Sequence, residues 1–351
     1  MISDKAVIRH KYKRAVKYVV SILLSVVFLY FAFNNVNPAV VFNYIANASI
    51  FWIVIFLIVN LFSHYLRAVR WKIILHSVKP DTSLKNLFGA IMVGYGVNCV
   101  IPRLGEISRA VLAGKWENLS RSSMLGAVIV ERVIDVIFLA LAVVVSAFLW
   151  TENLYDKFPW LKAAVYLSFI LMAFVILFFY MMIRFREKFY KYIIKLIGRI
   201  SEKLAHKAAY IFDMLTLGFG SLKGTKNYIL TIALSIIIML VYAFNSYIGF
   251  YAIGLNHVKH VTFEMGWMVM SISAIGVVIP TPGGTGSYHV LATSALVLLY
   301  GFSYDLSLAY AVLTHGLTYF MFIFSALAIY FLIDKGHNNF FMLAEKELDD
   351  I

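Results

Sequence analysis

The sequence predicts an all-α integral membrane protein of about six full spans and two re-entrant helical hairpins, arranged as an inverted-topology repeat. Three observations lead there. The 351 residues are 62% hydrophobic and only 14% charged, with a mean hydropathy of +0.83, so there is too little charge to cover a soluble surface. Apolar runs long enough for a crossing of roughly 20 residues recur at 16–33, 49–66, 122–150, 161–183, 227–253 and 306–333. Two shorter runs, 86–101 and 265–279, stop at Pro102 and Pro280, and each is followed by glycine and a second short stretch. This composition excludes a cytosolic enzyme and a secreted scaffold. The single cysteine, Cys99, excludes a disulfide framework and cysteine-based metal sites.

The first run has a basic leader but no small-residue cleavage site before Asn34–Pro38, so it reads as a retained span. Orientation follows from charge. Of 31 Lys and Arg, six lie in residues 1–17, five in 67–85, four in 102–121 and ten in 184–226, while 34–48 carries no charge. Positive-inside reasoning places those four segments, and both termini, on the cytoplasmic side of the cytoplasmic membrane. Segments 67–85 and 102–121 then share a side only if 86–101 enters and returns as a hairpin turning at Pro102–Gly105. Non-helical backbone at that depth must be buried in protein or line a wet cavity.

Within 184–226, basic residues interleave with Phe189, Tyr190, Tyr192, Ile193, Ile194, Leu196 and Ile197. The pattern fits an amphipathic helix on the inner leaflet; a solvated cytoplasmic loop that enforces topology is the competing reading. The net charge of +13 follows the membrane boundary, which argues against nucleic acid as a partner.

An internal repeat accounts for the order of these elements. Val100-Ile101-Pro102 with Gly105 matches Val278-Ile279-Pro280 with Gly283 at an offset of 178. The same offset carries 49–66 onto 227–244, 86–101 onto 264–279 and 122–150 onto 300–328. The chain therefore reads as one polytopic domain, 1–351, with a first repeat at 16–150 and a second at 161–333 that contains the basic insertion 184–226. Three crossings per repeat invert the second copy, so the two broken tips should approach each other, as in secondary transporters.

Ionisable residues inside such spans mark the chemistry. Glu131 and Asp135 share one helix face, Arg132 adjoins them, and Glu131 lies about 13 Å beyond the helix start. Charges at that depth point to a substrate or proton pathway, or else to a closed salt-bridge network with Arg103, Arg109 or Arg132. Arg103, Arg109 and Arg132 are candidate ligands for an anionic phosphate, with Asn98, Gly105, Gly283 and Gly284 lining the hairpin turns through polar or backbone groups. Glu106, Glu131 and Asp135 would balance charge or relay protons. Arg67 and Arg70 would contact headgroups at the inner interface. Ser287 and His289 follow the second turn, but no orienting third group or nucleophile-elbow pattern accompanies them. No nucleotide-binding or zinc motif is present, so neither cofactor nor metal is expected.

Taken in order, Arg67-x-x-Arg70-Trp71, Asn98-x-x-x-Pro102-Arg103-x-Gly105-Glu106-x-x-Arg109, Glu131-Arg132-x-x-Asp135 and Pro280-x-Pro282-Gly283-Gly284-x-Gly286 resemble the lysylphosphatidylglycerol synthase transmembrane family over nearly the whole chain. The resemblance implies a flippase-type domain that moves aminoacylated phosphatidylglycerol between leaflets, or, as in stand-alone members, a domain linked to isoprenoid-phosphate glycolipids. The soluble aminoacyl-transferase domain of the family is absent here, so synthase activity is not expected. The second turn continues Ser287-Tyr288-His289, where relatives often carry an acidic residue. The leading expectation is thus a lipid flippase or scramblase whose partners are anionic phospholipids or lipid-linked phosphates. A membrane-embedded lipid-modifying enzyme using a polyprenyl-phosphate donor is one alternative. An accessory subunit of a lipid or glycolipid pathway, a homodimer or a complex with a lipid-modifying enzyme are others.

Overall fold

The computed structural model describes residues 2–34, 36–102, 104–149, 159–184, 186–199 and 224–333, with isolated positions between 201 and 213. Arg103, much of the basic insertion and the tail from 334 onward lie outside the described residues. Among the described residues every regular element is helical. In chain order these are α1 (Ile2–Phe33), α2 (Pro38–Ala46), α3 (Ile50–Leu75), α4 (Leu84–Val100), α5 (Leu104–Glu117), α6 (Arg121–Leu149), α7 (Pro159–Arg184), α8 (Arg186–Gly198), α9 (Thr225–Ile253), α10 (Phe263–Val278), α11 (Ser287–Tyr300) and α12 (Tyr304–Ile333).

Three described stretches, Ile50–Leu75, Thr225–Ile253 and Tyr304–Phe331, are each long and apolar enough to cross a membrane alone. Their outward surfaces suit lipid: Phe320 and Phe324 are both 75% exposed, which in water would be costly. The chain is therefore an all-α, multi-pass membrane protein. α6 and α7 are of comparable length, at 29 and 26 residues. Local chemistry sets the ends. Pro38 opens α2, where Asn37 Oδ1 accepts from the Ala39 N–H at 3.0 Å. Thr262 caps α10 by accepting from the Met265 N–H at 3.3 Å. α11 stops at Gly301, in the left-handed region at φ 64°, and Lys259 Nζ donates to the terminal carbonyls of Tyr300 and Gly301 at 2.7 and 3.2 Å.

The described residues form two compact units, one drawn from Met1–Phe62, Met92–Gly105 and Val241–Lys335, the other from Ser63–Ile91 and Glu106–Leu240. Each unit takes elements from both halves of the chain. In the first, α10 packs along α11, α11 along α12, α1 along α11, and α2 along α12. The last turns of α4 join them: Tyr95 stacks on Phe322 with ring centroids 4.6 Å apart, and Gly96 faces Ala326 Cβ and the Phe322 carbonyl too closely for any side chain. The tips of the two broken elements meet in this unit. Tyr319 Oη donates to the Cys99 carbonyl, and a Cβ on Gly283 would lie 2.7 Å from the Tyr319 ring and 3.6 Å from Cys99 Cα.

In the second unit α6 packs on α7, and α7 on α8. Glu117, 3% exposed, gathers the open ends of the first hairpin. Its carboxylate accepts from the Ser83 N–H at 3.1 Å, Asn86 Nδ2 at 2.7 Å and Lys79 Nζ at 3.2 Å. With α4 and α5 joined there at their outer ends and the chain bending after Val100, the pair is a helical hairpin.

Gly105, at the start of α5, donates its N–H to Asn98 Oδ1 at 2.7 Å, and a Cβ there would overlap the Gly94 carbonyl and come within 2.6 Å of Asn98 Cγ. Because the nearest obstacle is backbone, Gly105→Ala should destabilise the protein by about 1–3 kcal/mol. Gly316→Ala, whose Cβ meets nothing within 4 Å, should leave stability unchanged or raised. Thermal unfolding of the two variants in detergent checks this; equal melting temperatures would contradict the close packing at the hairpin tip.

Candidate functional site

The polar residues of α3 recur at helical spacing. Ser63, His64, Arg67, Arg70 and Trp71 fall at helical spacing on one side of a mostly apolar helix, and none is more than 4% exposed. A helix in lipid turns its apolar sides outward and its polar stripe inward, so Arg67 and Arg70 face the protein interior. Their guanidinium groups meet the carboxylates of α6. Glu131 and Asp135, one turn apart, present side chains that are 0% and 15% exposed.

The contacts form a closed exchange. Arg67 Nη2 donates to Glu131 Oε1 at 2.6 Å and to Asp135 Oδ2 at 2.7 Å. Arg70 Nη2 donates to Glu131 Oε1 at 3.2 Å and to Asp135 Oδ1, while its Nη1 donates to Ser235 Oγ at 2.9 Å. Ser235 in turn donates to the Thr231 carbonyl at 2.8 Å, so α9 supplies a neutral acceptor where a third carboxylate would leave excess charge. Two cations and two anions make this quartet neutral. At the more accessible edge, Arg132 Nη1 stands 3.9 Å from Glu106 Oε1 and 3.7 Å from Asp135 Oδ2, with Arg132 36% and Glu106 29% exposed. That pair also balances to zero.

Among the described residues of this cluster, Arg109 on α5 is the cation left over. Its Nη1 lies 2.6 Å from Glu131 Oε2, and its guanidinium sits 5.1 Å from the Trp71 ring centroid, a cation–π distance. It is 3% exposed. Neither Nε, Nη1 nor Nη2 has an aligned hydrogen-bond acceptor among the described residues, and the same holds for Trp71 Nε1 and Ser108 Oγ. Buried donors ordinarily have acceptors, and donors around a net positive charge are what an oxyanion satisfies.

The residues singled out from sequence fall into two groups. Arg67, Arg70, Glu106, Arg109, Glu131, Arg132 and Asp135 lie in the second compact unit; Arg67, Arg70, Arg109 and Glu131 are buried, Asp135 is 15% exposed, and Arg132 and Glu106 form the accessible edge. Arg67 and Arg70, expected to contact headgroups at the inner interface, lie on the inward polar stripe of α3 as partners of Glu131 and Asp135. Asn98, Gly105, Gly283 and Gly284 lie in the first unit. There two of the turn amides are already engaged, the Gly105 N–H by Asn98 Oδ1 and the Gly284 N–H by the Thr281 carbonyl at 3.2 Å. Gly283, Gly284 and Gly286 take positive φ of 56°, 79° and 90°, so turn geometry is what these glycines supply. Ser287 Oγ donates to the Gly276 carbonyl at 2.6 Å, and His289 Nδ1 accepts from the Gly286 N–H at 3.3 Å; the two side chains serve the turn separately.

Sequence reasoning missed Trp71 as the platform for Arg109 and Ser235 as the fifth partner of the quartet. It also missed His315, whose ring lies 4.8 Å from that of His289 and whose Nε2 is 3.2 Å from Thr285 Oγ1. Among the described residues no three His, Cys, Asp or Glu side chains gather as a metal site.

Breaking a buried ion pair leaves an uncompensated charge, at a cost of about 3–5 kcal/mol, whereas an exposed pair contributes about 0–1 kcal/mol. Arg70→Gln should therefore destabilise the protein by the larger amount and Arg132→Gln by the smaller. Unfolding in mixed micelles separates them, and similar losses for both variants would contradict the division into quartet and edge.

The sequence was compared with known proteins. The model of the lysylphosphatidylglycerol synthase transmembrane region matches residues 18–326. A UPF0104 membrane protein of Methanothermobacter thermautotrophicus is 30% identical over 124 residues, 34% of each chain. Another, from Methanocaldococcus jannaschii, is 22% identical over 122 residues, 34% of this chain and 36% of that one. The matched stretches thus span about a third of the length of these relatives. No solved structure matches. With a family match covering most of its length, this chain belongs to the lysylphosphatidylglycerol synthase transmembrane family.

Proposed function

We propose that the chain translocates lipid across the cytoplasmic membrane as a flippase or scramblase, with an anionic, aminoacylated or isoprenoid-phosphate-linked lipid as substrate. The observation that carries this reading is Arg109. The quartet of Arg67, Arg70, Glu131 and Asp135 is neutral by itself, and Arg132 pairs with Glu106, so among the described residues of the cluster one buried positive charge remains. A phosphate oxygen would accept from the Arg109 guanidinium, and the attraction would be strong where water is scarce. Glu131 would hold Arg109 between substrates and keep the charge of Arg67 and Arg70 when Arg109 turns to the lipid. Glu106 and Arg132, at the accessible edge, would guide the headgroup toward it.

The topology that fits is six crossings with both termini cytoplasmic and the α4–α5 and α10–α11 pairs re-entering the membrane. The order of span, broken pair and span recurs as α3 to α6 and as α9 to α12, and the meeting of Cys99 with Gly283 agrees with an inverted repeat whose tips converge. We read the chain as a transporter and not as an enzyme, because the acidic residues available for catalysis are engaged by arginines and Ser287 is committed to backbone carbonyls.

The test is leaflet exchange of headgroup-labelled anionic, aminoacylated and isoprenoid-phosphate lipids by purified protein in liposomes. A charge-assisted hydrogen bond contributes about 1.5–3 kcal/mol, so Arg109→Ala should slow exchange about tenfold to a hundredfold, while Gly316→Ala exchanges like wild type. Asp135→Asn should also slow it by unbalancing the quartet. Failure of folded wild-type protein to exchange any of these lipids would turn the assignment toward a lipid-modifying enzyme or an accessory subunit.

A further inference from the structure

We infer that α8 presents a docking face for an anionic bilayer leaflet, made of Lys191, Lys195 and Arg199 with Tyr192 and Leu196 beside them. Of the seven apolar residues that interleave with basic ones in this stretch, Tyr190, Ile194 and Ile197 form one stripe by helical spacing. The structure uses that stripe within the protein. All three residues are partly buried, the Tyr190 ring packs 5.1 Å from that of Phe212, and Phe212 and Ala205 are 6% and 7% exposed. The chain returns after α8 to make this contact, with the Ser201 N–H bonded to the Ile197 carbonyl at 2.9 Å and the Ala205 N–H to the Ser201 carbonyl at 3.0 Å.

What remains outside is a different face. Lys191, Lys195 and Arg199 are spaced four residues apart, so they form one basic stripe. All three are exposed. Tyr192 and Leu196 flank the stripe and are 66% and 46% exposed, on the side of the helix away from Tyr190 and Ile194. No acidic residue interrupts α8 after Glu187. Cations with an adjacent aromatic and an aliphatic side chain suit a surface of negative headgroups over hydrocarbon: the charges sit among the phosphates and the two apolar groups reach the acyl boundary. With its main apolar stripe already covered, α8 would adsorb shallowly and by charge, not insert by hydrophobicity. α8 follows directly on the end of α7, which keeps the face close to a membrane boundary. The inference holds whether or not the chain moves lipid.

The test uses full-length protein in nanodiscs, in a Cys99→Ala background, with an environment-sensitive fluorophore attached after Leu196→Cys and a quencher carried by lipids at the headgroup–acyl boundary. In discs containing phosphatidylglycerol, quenching should be strong at low salt and should fall at high salt. It should also fall in discs of phosphatidylcholine alone and in the variant Lys191→Gln, Lys195→Gln, Arg199→Gln. Each neutralised charge is expected to lower the adsorbed-to-free ratio about fivefold. Glutamine is a comparable helix former and leaves the Tyr190–Phe212 contact untouched, and an unchanged circular dichroism spectrum establishes that α8 persists. Equal quenching in both lipids would overturn the electrostatic assignment. Absence of quenching in either lipid would also overturn the inference and give the stripe to solvent or to an acidic protein.

Discussion

Four charged side chains, two from α3 and two from α6, are joined in one largely buried cluster. Arg67 and Arg70 each bridge Glu131 and Asp135, and the desolvation of any one of them is acceptable only because the others are in place. This constrains more than charge. The rotation of α3 is set by the requirement that its polar stripe face α6, and the rotation of α6 by the requirement that Glu131 and Asp135 face α3. Ser235 extends the constraint to α9 through Arg70, and Arg109 extends it to α5 through Glu131. Four helices are thus registered by one cluster in which packing of apolar side chains alone would allow neighbouring rotations of similar energy, since lipid tails and aliphatic side chains are nearly equivalent surroundings.

Neutrality of the quartet gives Arg109 its distinct status. It is buried, yet its one carboxylate contact is shared with a group that Arg67 and Arg70 already satisfy. A cation held in that way can exchange partners at lower cost than one whose departure strands an anion. The aromatic face of Trp71 beneath it offers a surface along which a guanidinium can shift without losing all its stabilisation. In the first compact unit the corresponding economy is steric: Gly105, Gly283 and Gly96 permit backbone and ring contacts that any Cβ would prevent, and Tyr319 ties the Cys99 carbonyl beside Gly283.

Much of this was legible in the sequence, and the reasons differ by element. Long apolar runs specify helices by length alone, so all six expected spans coincide with helices, and Pro102 and Pro280 mark real breaks because proline removes a donor and blocks the preceding turn. The depth of Glu131 and Asp135 made their pairing foreseeable. Arg67 and Arg70 were assigned to the interface because position near the end of a span was weighed above periodicity; the fall of Ser63, His64, Arg67, Arg70 and Trp71 on one helix face held the information that they face inward. Ser235, and the role of Trp71 as the platform for Arg109, could not be found this way, since a serine or an inward-facing aromatic is compatible with packing or binding alike. The turn glycines were read as anion ligands because spacing shows where N–H groups cluster but not which acceptors, such as Asn98 Oδ1 and the Thr281 carbonyl, already hold them.

The most direct measurement is the thermal shift that phosphatidylglycerol, compared with phosphatidylcholine, gives purified protein, in wild type and in Arg109→Gln. If Arg109 is the surplus cation of a neutral cluster, the lipid-free melting temperature of the variant will stay close to that of wild type, and the stabilisation specific to the anionic lipid will disappear. A variant that is strongly destabilised without lipid but still gains the full anionic-lipid shift would contradict it, and would make Arg109 one more member of the structural network.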